Sequence, residues 1–168
     1  MRRALLGLLA TRATAFSVRR TARFSVVDRA MATDCTTTEA ERAEAAALRS
    51  AGGGAGVAPD VAGCVLGEGT QKYVLVRAGD RYFVRGDVRA DYHKDAARPL
   101  VEELRAREVE YEVLGGGRIA LDAAARTIRI YGHSFGFPWR GEFRHDLAAR
   151  VCEAAYPGFD VETSNEGY

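Results

Sequence analysis

The stretch VEYEVLGGGRIAL at residues 109–121 decides how the chain is read. Val109, Tyr111 and Val113 alternate with polar residues, and Ile119 and Leu121 resume the alternation beyond the glycines, which is the period of a strand with one buried face. Three successive glycines weaken a strand, because they bring no side chain to pack and lose the most backbone freedom. A pattern that survives them predicts one long strand that bends or meets something at close range in its middle. DAAAR (122–126) then turns the chain back into TIRIYG (127–132), a second alternating strand.

Working outward, VAGCVL (61–66) and QKYVLVRA (71–78) are rich in β-branched residues, and Gly79-Asp80 supplies a hairpin turn into RYFVRG (81–86). Beyond Asp87 the period changes to that of a helix, with Leu100, Val101 and Leu104 on one side through about Arg107. Pro99 leaves two arrangements open: a helix beginning near Arg98 after a separate turn over 92–97, or one longer helix kinked at the proline. A second helix is expected over 142–155, where Phe143, Leu147, Val151 and Ala155 recur at every fourth position before Pro157-Gly158. FDVETS (159–164) closes the chain as a strand. The order β-β-β-α-β-β-α-β predicts a single α+β domain over 59–168, a mixed sheet of about six strands flanked by two helices.

The first 58 residues read differently. Residues 1–30 hold seven Arg against one Asp, a balance of +6, so a chain of net +1 carries −5 in the remainder. An Arg-, Ala- and Ser-rich start without Lys has the composition of a targeting peptide for the mitochondrial matrix or a plastid; a start at Met31 predicts a cytosolic product instead. Residues 31–58 are expected to be a flexible linker, since a helix over 39–50 has little apolar face and is marginal alone. The glycines at 52, 53, 54 and 56 have neither a preceding strand nor a following Lys-Ser/Thr, so they do not make a nucleotide loop. The mildly acidic body argues against nucleic acid, and no apolar run approaches the ~20 residues of a membrane span. Cys35, Cys64 and Cys152 lack paired spacing, and neither the histidines nor the carboxylates form a metal-ligand pattern, so no metal or cofactor is expected.

Among single residues, His93 lies in a charged run just ahead of the first helix, where an imidazole with an ordinary pKa near 6.5 can accept or donate a proton beside helix N–H groups. GHSFGFP (132–138) can turn successive N–H groups inward around an anion. Its Gly132, Ser134 and Gly136 match the spacing of a serine-hydrolase elbow, but the domain is too short and the next helix starts too late for that fold. Arg118 after the glycines, Lys72 and Arg85 are further candidate anion clamps.

Five segments in order, KYVLVR (72–77), VRG followed by DYH (84–93), LGGGRI (114–119), IYGHS (130–134) and YPGFDVETSNEGY (156–168), resemble the protein histidine phosphatases of the Janus/Ocnus family. The likeness runs from about Pro59 to Tyr168. It implies a small, monomeric, metal-independent phosphatase acting on phosphohistidine in proteins. By position it makes His93 the essential histidine, as general base or transient nucleophile. Lys72, Ser134, Gly136, Arg118 and Arg85 become phosphate-binding residues, with Tyr92 beside the site. Pro138 and His133 depart from the family's usual Gly and Tyr. A phosphate-recognising regulator, or a phosphatase for phospholysine or small phosphoramidates, would use the same groups.

Overall fold

A computed structural model describes residues 37–55 and 60–166. In chain order the elements are α1 (Glu39–Leu48), β1 (Ser50–Ala55), β2 (Cys64–Val65), β3 (Gly69–Ala78), β4 (Arg81–Asp87), α2 (His93–Ala106), β5 (Val109–Asp122), β6 (Thr127–Tyr131), α3 (His145–Ala155) and β7 (Asp160–Thr163). The glycine-bearing stretch is indeed one strand of 14 residues. It lies at the middle of a seven-stranded sheet ordered β2-β4-β3-β5-β6-β7, with β1 also paired to β5. The pairs β2–β4 and β6–β7 are parallel and the rest antiparallel, so the sheet is mixed and the α+β class expected from the pattern holds.

One irregularity sets which residues face which helix. Along β5, Val109, Tyr111 and Val113 pack in the cluster that contains α2, whereas Ile119 and Leu121 pack in the cluster that contains α3. Odd-numbered residues therefore change sides within a single strand. The cause is a bulge: Val76 pairs with Val113 but its neighbour Leu75 pairs with Gly115, leaving Leu114 as an extra residue. Beyond the bulge, even-numbered positions of β5 face α2. Arg118 is thereby turned to the same side as Lys72, its cross-strand partner on β3, because β3 residues Val74 and Val76 also face α2.

The glycine run is explained by what approaches it. A side chain at Gly115 would overlap the Trp139 indole, and one at Gly117 would sit 2.5 Å from the Tyr131 carbonyl oxygen. One at Gly116 would sit 2.5 Å from the Tyr73 carbonyl oxygen and close to both His93 and Ser134.

The helices differ in detail from expectation. Pro99 lies inside one continuous helix: α2 begins at His93 and runs to Ala106, with Pro99 exposed on the outer face and Ala96, Ala97, Leu100, Val101 and Leu104 buried. Pro99 forfeits one backbone bond, and it does so on the solvent-exposed side of the helix. Asp95 accepts the Tyr92 N–H at 2.9 Å and closes the first turn. Helix α3 starts at His145 rather than 142, and its buried face is His145, Leu147, Ala148, Ala149 and Cys152. Phe143 precedes the helix and stacks on the His145 ring. On the same side Cys64 and Cys152 are reduced, with sulfurs 3.6 Å apart.

The largest difference lies before residue 59. The segment expected to be linker is, over 39–55, a helix and an edge strand. Thr38 and Glu41 form a reciprocal cap on α1, with the Thr38 N–H donating to the Glu41 carboxylate at 2.7 Å. Ala45 and Leu48 enter the core against α2, and β1 adds to β5. Two apolar residues three apart make no periodic signal, but beside a preformed helix and an open strand edge they suffice. The proposed targeting segment 1–30 and Cys35 lie outside the described residues. Among the described residues no helix is long and apolar enough to cross a membrane.

Leu48 is 5% exposed, so Leu48→Ala should lower unfolding free energy by about 2–4 kcal/mol through lost burial and the cavity left behind. A flexible linker would give a change within about 0.5 kcal/mol. Urea titration of the two proteins separates these outcomes.

Candidate active site

Sheet face and helix start together place the imidazole of His93. As the first residue of α2, His93 projects over the middle of β5, where its Nε2 lies 3.0 Å from the Gly117 carbonyl oxygen. A carbonyl only accepts, so Nε2 carries the hydrogen and Nδ1 holds the lone pair in the neutral ring. The ring rests beside Gly116: a Cβ there would come within 3.1 Å of the His93 Cδ2 and 3.3 Å of the Ser134 Cβ. Only a residue without a side chain permits both groups to share that space.

Cationic residues surround this point. Lys72 and Arg118 are paired across β3 and β5, one pleat along from the Val74–Gly116 pair on the same face. The Lys72 ammonium donates to the Ala90 carbonyl at 3.4 Å and so braces the loop that leads into His93. Burial pushes the His93 pKa down to about 4; the Gly117 carbonyl opposes the shift, while the charges of Lys72 and Arg118 and the nearby His133 reinforce it. The imidazole is therefore neutral at physiological pH, with its lone pair available.

Ser134 is fully buried, and its Oγ accepts the Phe137 N–H at 3.1 Å. Its present work is to shape the 134–137 loop in which Gly136 sits. A second buried chain anchors the start of that loop. His145 Nε2 donates to the Gly132 carbonyl at 3.0 Å, which leaves His145 Nδ1 to accept from the Tyr73 hydroxyl at 2.6 Å. Burial lowers the His145 pKa and raises that of Tyr73, so both stay neutral. Gly132 turns there with φ +68°, a conformation that favours glycine. Tyr73 thus touches the site twice: its carbonyl meets Gly116 and its hydroxyl fixes the neighbouring loop.

Of the residues expected from sequence, His93, Lys72, Arg118, Ser134 and Gly136 converge on one face, and Tyr92 flanks His93. Arg85 does not join them in the same way. Its guanidinium donates to the carbonyls of Ala62, Gly63 and Val84 and lies over the Phe83 ring, fastening the β2 segment to β4. Sequence reading passed over Tyr73, Trp139 and the buried role of His145. Their signal is tertiary: a tyrosine in an alternating strand reads as core, and a histidine inside a helical pattern reads as surface.

The fold and this arrangement define a protein that places a neutral histidine beside a lysine and an arginine on one face of the sheet. The comparison of sequences adds the lineage: residues 59–160 match the Janus/Ocnus family, and the chain belongs to that family. It is 32% identical over 112 residues to the 14 kDa phosphohistidine phosphatase of Sus scrofa, covering 60% of this chain and 86% of that protein. The 14 kDa phosphohistidine phosphatase of Homo sapiens is 31% identical over 112 residues, 60% of this chain and 87% of that one. The sex-regulated protein janus-A of Drosophila pseudoobscura pseudoobscura is 31% identical over 111 residues, 60% and 72% of the two chains. The matched region begins after α1 and β1.

A titration followed by imidazole NMR should place the His93 midpoint near 4, well below 6.5. Because His93 is harder to protonate in the folded protein than in the unfolded one, the unfolded chain takes up the proton first as pH falls. Stability contributed by the neutral ring is present above about 6.5 and is lost progressively toward about 4. The slope of unfolding free energy against pH in that window should shrink in His93→Gln.

Proposed function

We propose that the protein is a metal-independent protein histidine phosphatase that hydrolyses the P–N bond of phosphohistidine, with His93 as the reacting group. The observation that carries this reading is the neutral, Nε2–H imidazole of His93 held on the Gly117 carbonyl beside Lys72 and Arg118. Phosphoryl transfer passes through a loose transition state that mainly requires positioning and charge stabilisation. Lys72 and Arg118 would hold the phosphoryl oxygens, and backbone N–H groups near Gly136 would complete the cradle. The relatives named as phosphohistidine phosphatases support the same substrate class.

Nδ1 is the working atom. As a nucleophile it forms a bond to phosphorus while the substrate's P–N bond breaks; the electron pair goes to the leaving imidazole nitrogen, which takes a proton from solvent. Water then cleaves phospho-His93 and releases inorganic phosphate. The same neutral nitrogen could instead take a proton from an attacking water as general base, and trapping of a phosphoenzyme separates the two roles.

His93→Ala should lose at least about a hundredfold in phosphate release from a phosphohistidine protein, within the usual range for deleting the reacting group. Lys72→Met and Arg118→Met should each raise KM about tenfold. An acid-labile phosphoenzyme trapped in wild type and absent from His93→Ala would establish attack by Nδ1, whereas inversion at a chiral phosphorus would assign His93 the general-base role. Equal phosphate release by wild type and His93→Ala would sink the reading, and tight binding without release would make the protein a recognition module.

A further inference from the structure

Helix α1 lies outside the region matched to the family, yet it touches residues that bracket His93. The Glu41 carboxylate is hydrogen-bonded by the Tyr92 side chain, on one side of His93 in sequence. The Glu44 carboxylate pairs with the Lys94 ammonium at 2.8 Å, on the other side, and with Arg98 one turn further along α2 at 3.4 Å. Ala45 is 1% exposed, and its Cβ lies 3.2 Å from where Gly136 would carry one. A helix that reaches α2 on both sides of the reacting histidine and also the 134–137 loop is a wall of the site.

The wall is fixed rather than loose. Arg105 donates to the Ala47 carbonyl, Arg49 donates to the Pro138 carbonyl at 2.7 Å, and the Val113 N–H donates to the Arg49 carbonyl at 2.7 Å. Glu44 itself is about half exposed, so it stands at the mouth and not in the core. Lys94 and Arg98 are the cations nearest His93 on the helix that carries it. Lys94 also lies 3.5 Å from Asp95, so two carboxylates offset two cations; without Glu44 the cations would outnumber Asp95 and draw acidic residues of a substrate protein, whereas with it they present a neutralised rim.

We propose that α1 is a substrate-selecting wall of the site and that Glu44 is its specificity-determining residue, withholding Lys94 and Arg98 from acidic residues that flank the phosphohistidine of a partner protein. This rests on the function proposed above and adds the chemistry of the sequence around the phosphorylated histidine. Specificity is a difference between affinities, and a paired cation lowers the affinity for one class of flank without touching the phosphate.

The test uses the full chain and two peptides carrying a non-hydrolysable phosphonate analogue of phosphohistidine, one flanked by aspartates and one by lysines. Calorimetry at low salt reads their affinities for wild type, Glu44→Gln and Glu44→Gln/Lys94→Gln, with thermal unfolding confirming that each variant folds. Glu44→Gln should shift the preference toward the aspartate-flanked peptide by about threefold to fivefold, the range of exposed ion pairs, and added salt should erase the shift. Removing Lys94 as well should return the preference toward the wild-type value. A preference unmoved by Glu44→Gln overturns the role of α1. If wild type still releases phosphate from phosphoramidate, that failure belongs to the wall alone; if wild type neither hydrolyses phosphoramidate nor binds either peptide, the phosphatase reading falls and this one with it.

Discussion

The site depends on a close approach that only glycine allows. At Gly116 the Tyr73 backbone, the His93 ring and Ser134 meet above one position of the central strand, and any side chain there would displace at least one of them. The Val74–Gly116 pairing holds that position in the ladder, so the glycine costs local stiffness without losing register. Gly115 and Gly117 serve the same strand differently, admitting the Trp139 ring and the Tyr131 carbonyl. The run is a contact surface for three separate elements, and its backbone also supplies the Gly117 oxygen that orients His93.

From that meeting point the electrostatics follow. An imidazole that loses water and faces Lys72 and Arg118 cannot keep a second proton, so the arrangement proposed to attract a phosphoryl group also keeps Nδ1 unprotonated. The supporting chain, Tyr73 to His145 to the Gly132 carbonyl, is uncharged throughout and therefore holds the loop without adding charge beside His93. Lys72 is structural as well, since its ammonium braces Ala90 in the segment leading to His93.

Much of the sheet was legible because it alternates with period two: the long β5, its hairpin with β6, and the β3–β4 hairpin all announce themselves in the residue pattern. The meeting of His93, Lys72, Arg118 and Ser134 was legible only through family resemblance, because their convergence depends on the Leu114 bulge, which turns Arg118 to the α2 side and leaves no mark in composition. Arg85 shows the limit of position-by-position transfer. An arginine near the site in sequence proves to spend its donors on the Ala62 and Gly63 carbonyls, because β2 needs fastening at the sheet edge. The residue pattern predicts too early a start for α3 because Phe143 continues the every-fourth-residue spacing while stacking from outside the helix.

The sequence of helix α1 predicts a linker for a sound local reason, and the contacts of the helix show why local reasons are insufficient there. Its ten residues bury only Ala45 and Leu48, too little apolar surface to hold an isolated helix. What holds it is a set of contacts to elements formed elsewhere: the Thr38 cap, the ion pairs of Glu44 with α2, and the bonds of Arg49 to the 134–138 loop and to β5. Such a helix is cheap to append, because the domain beneath already has its core and the new element needs only a small apolar stripe and complementary charge. The same economy makes it suited to altering selectivity. Charges added at the rim change what approaches the site while leaving the glycine strand, the neutral histidine and the paired cations in place.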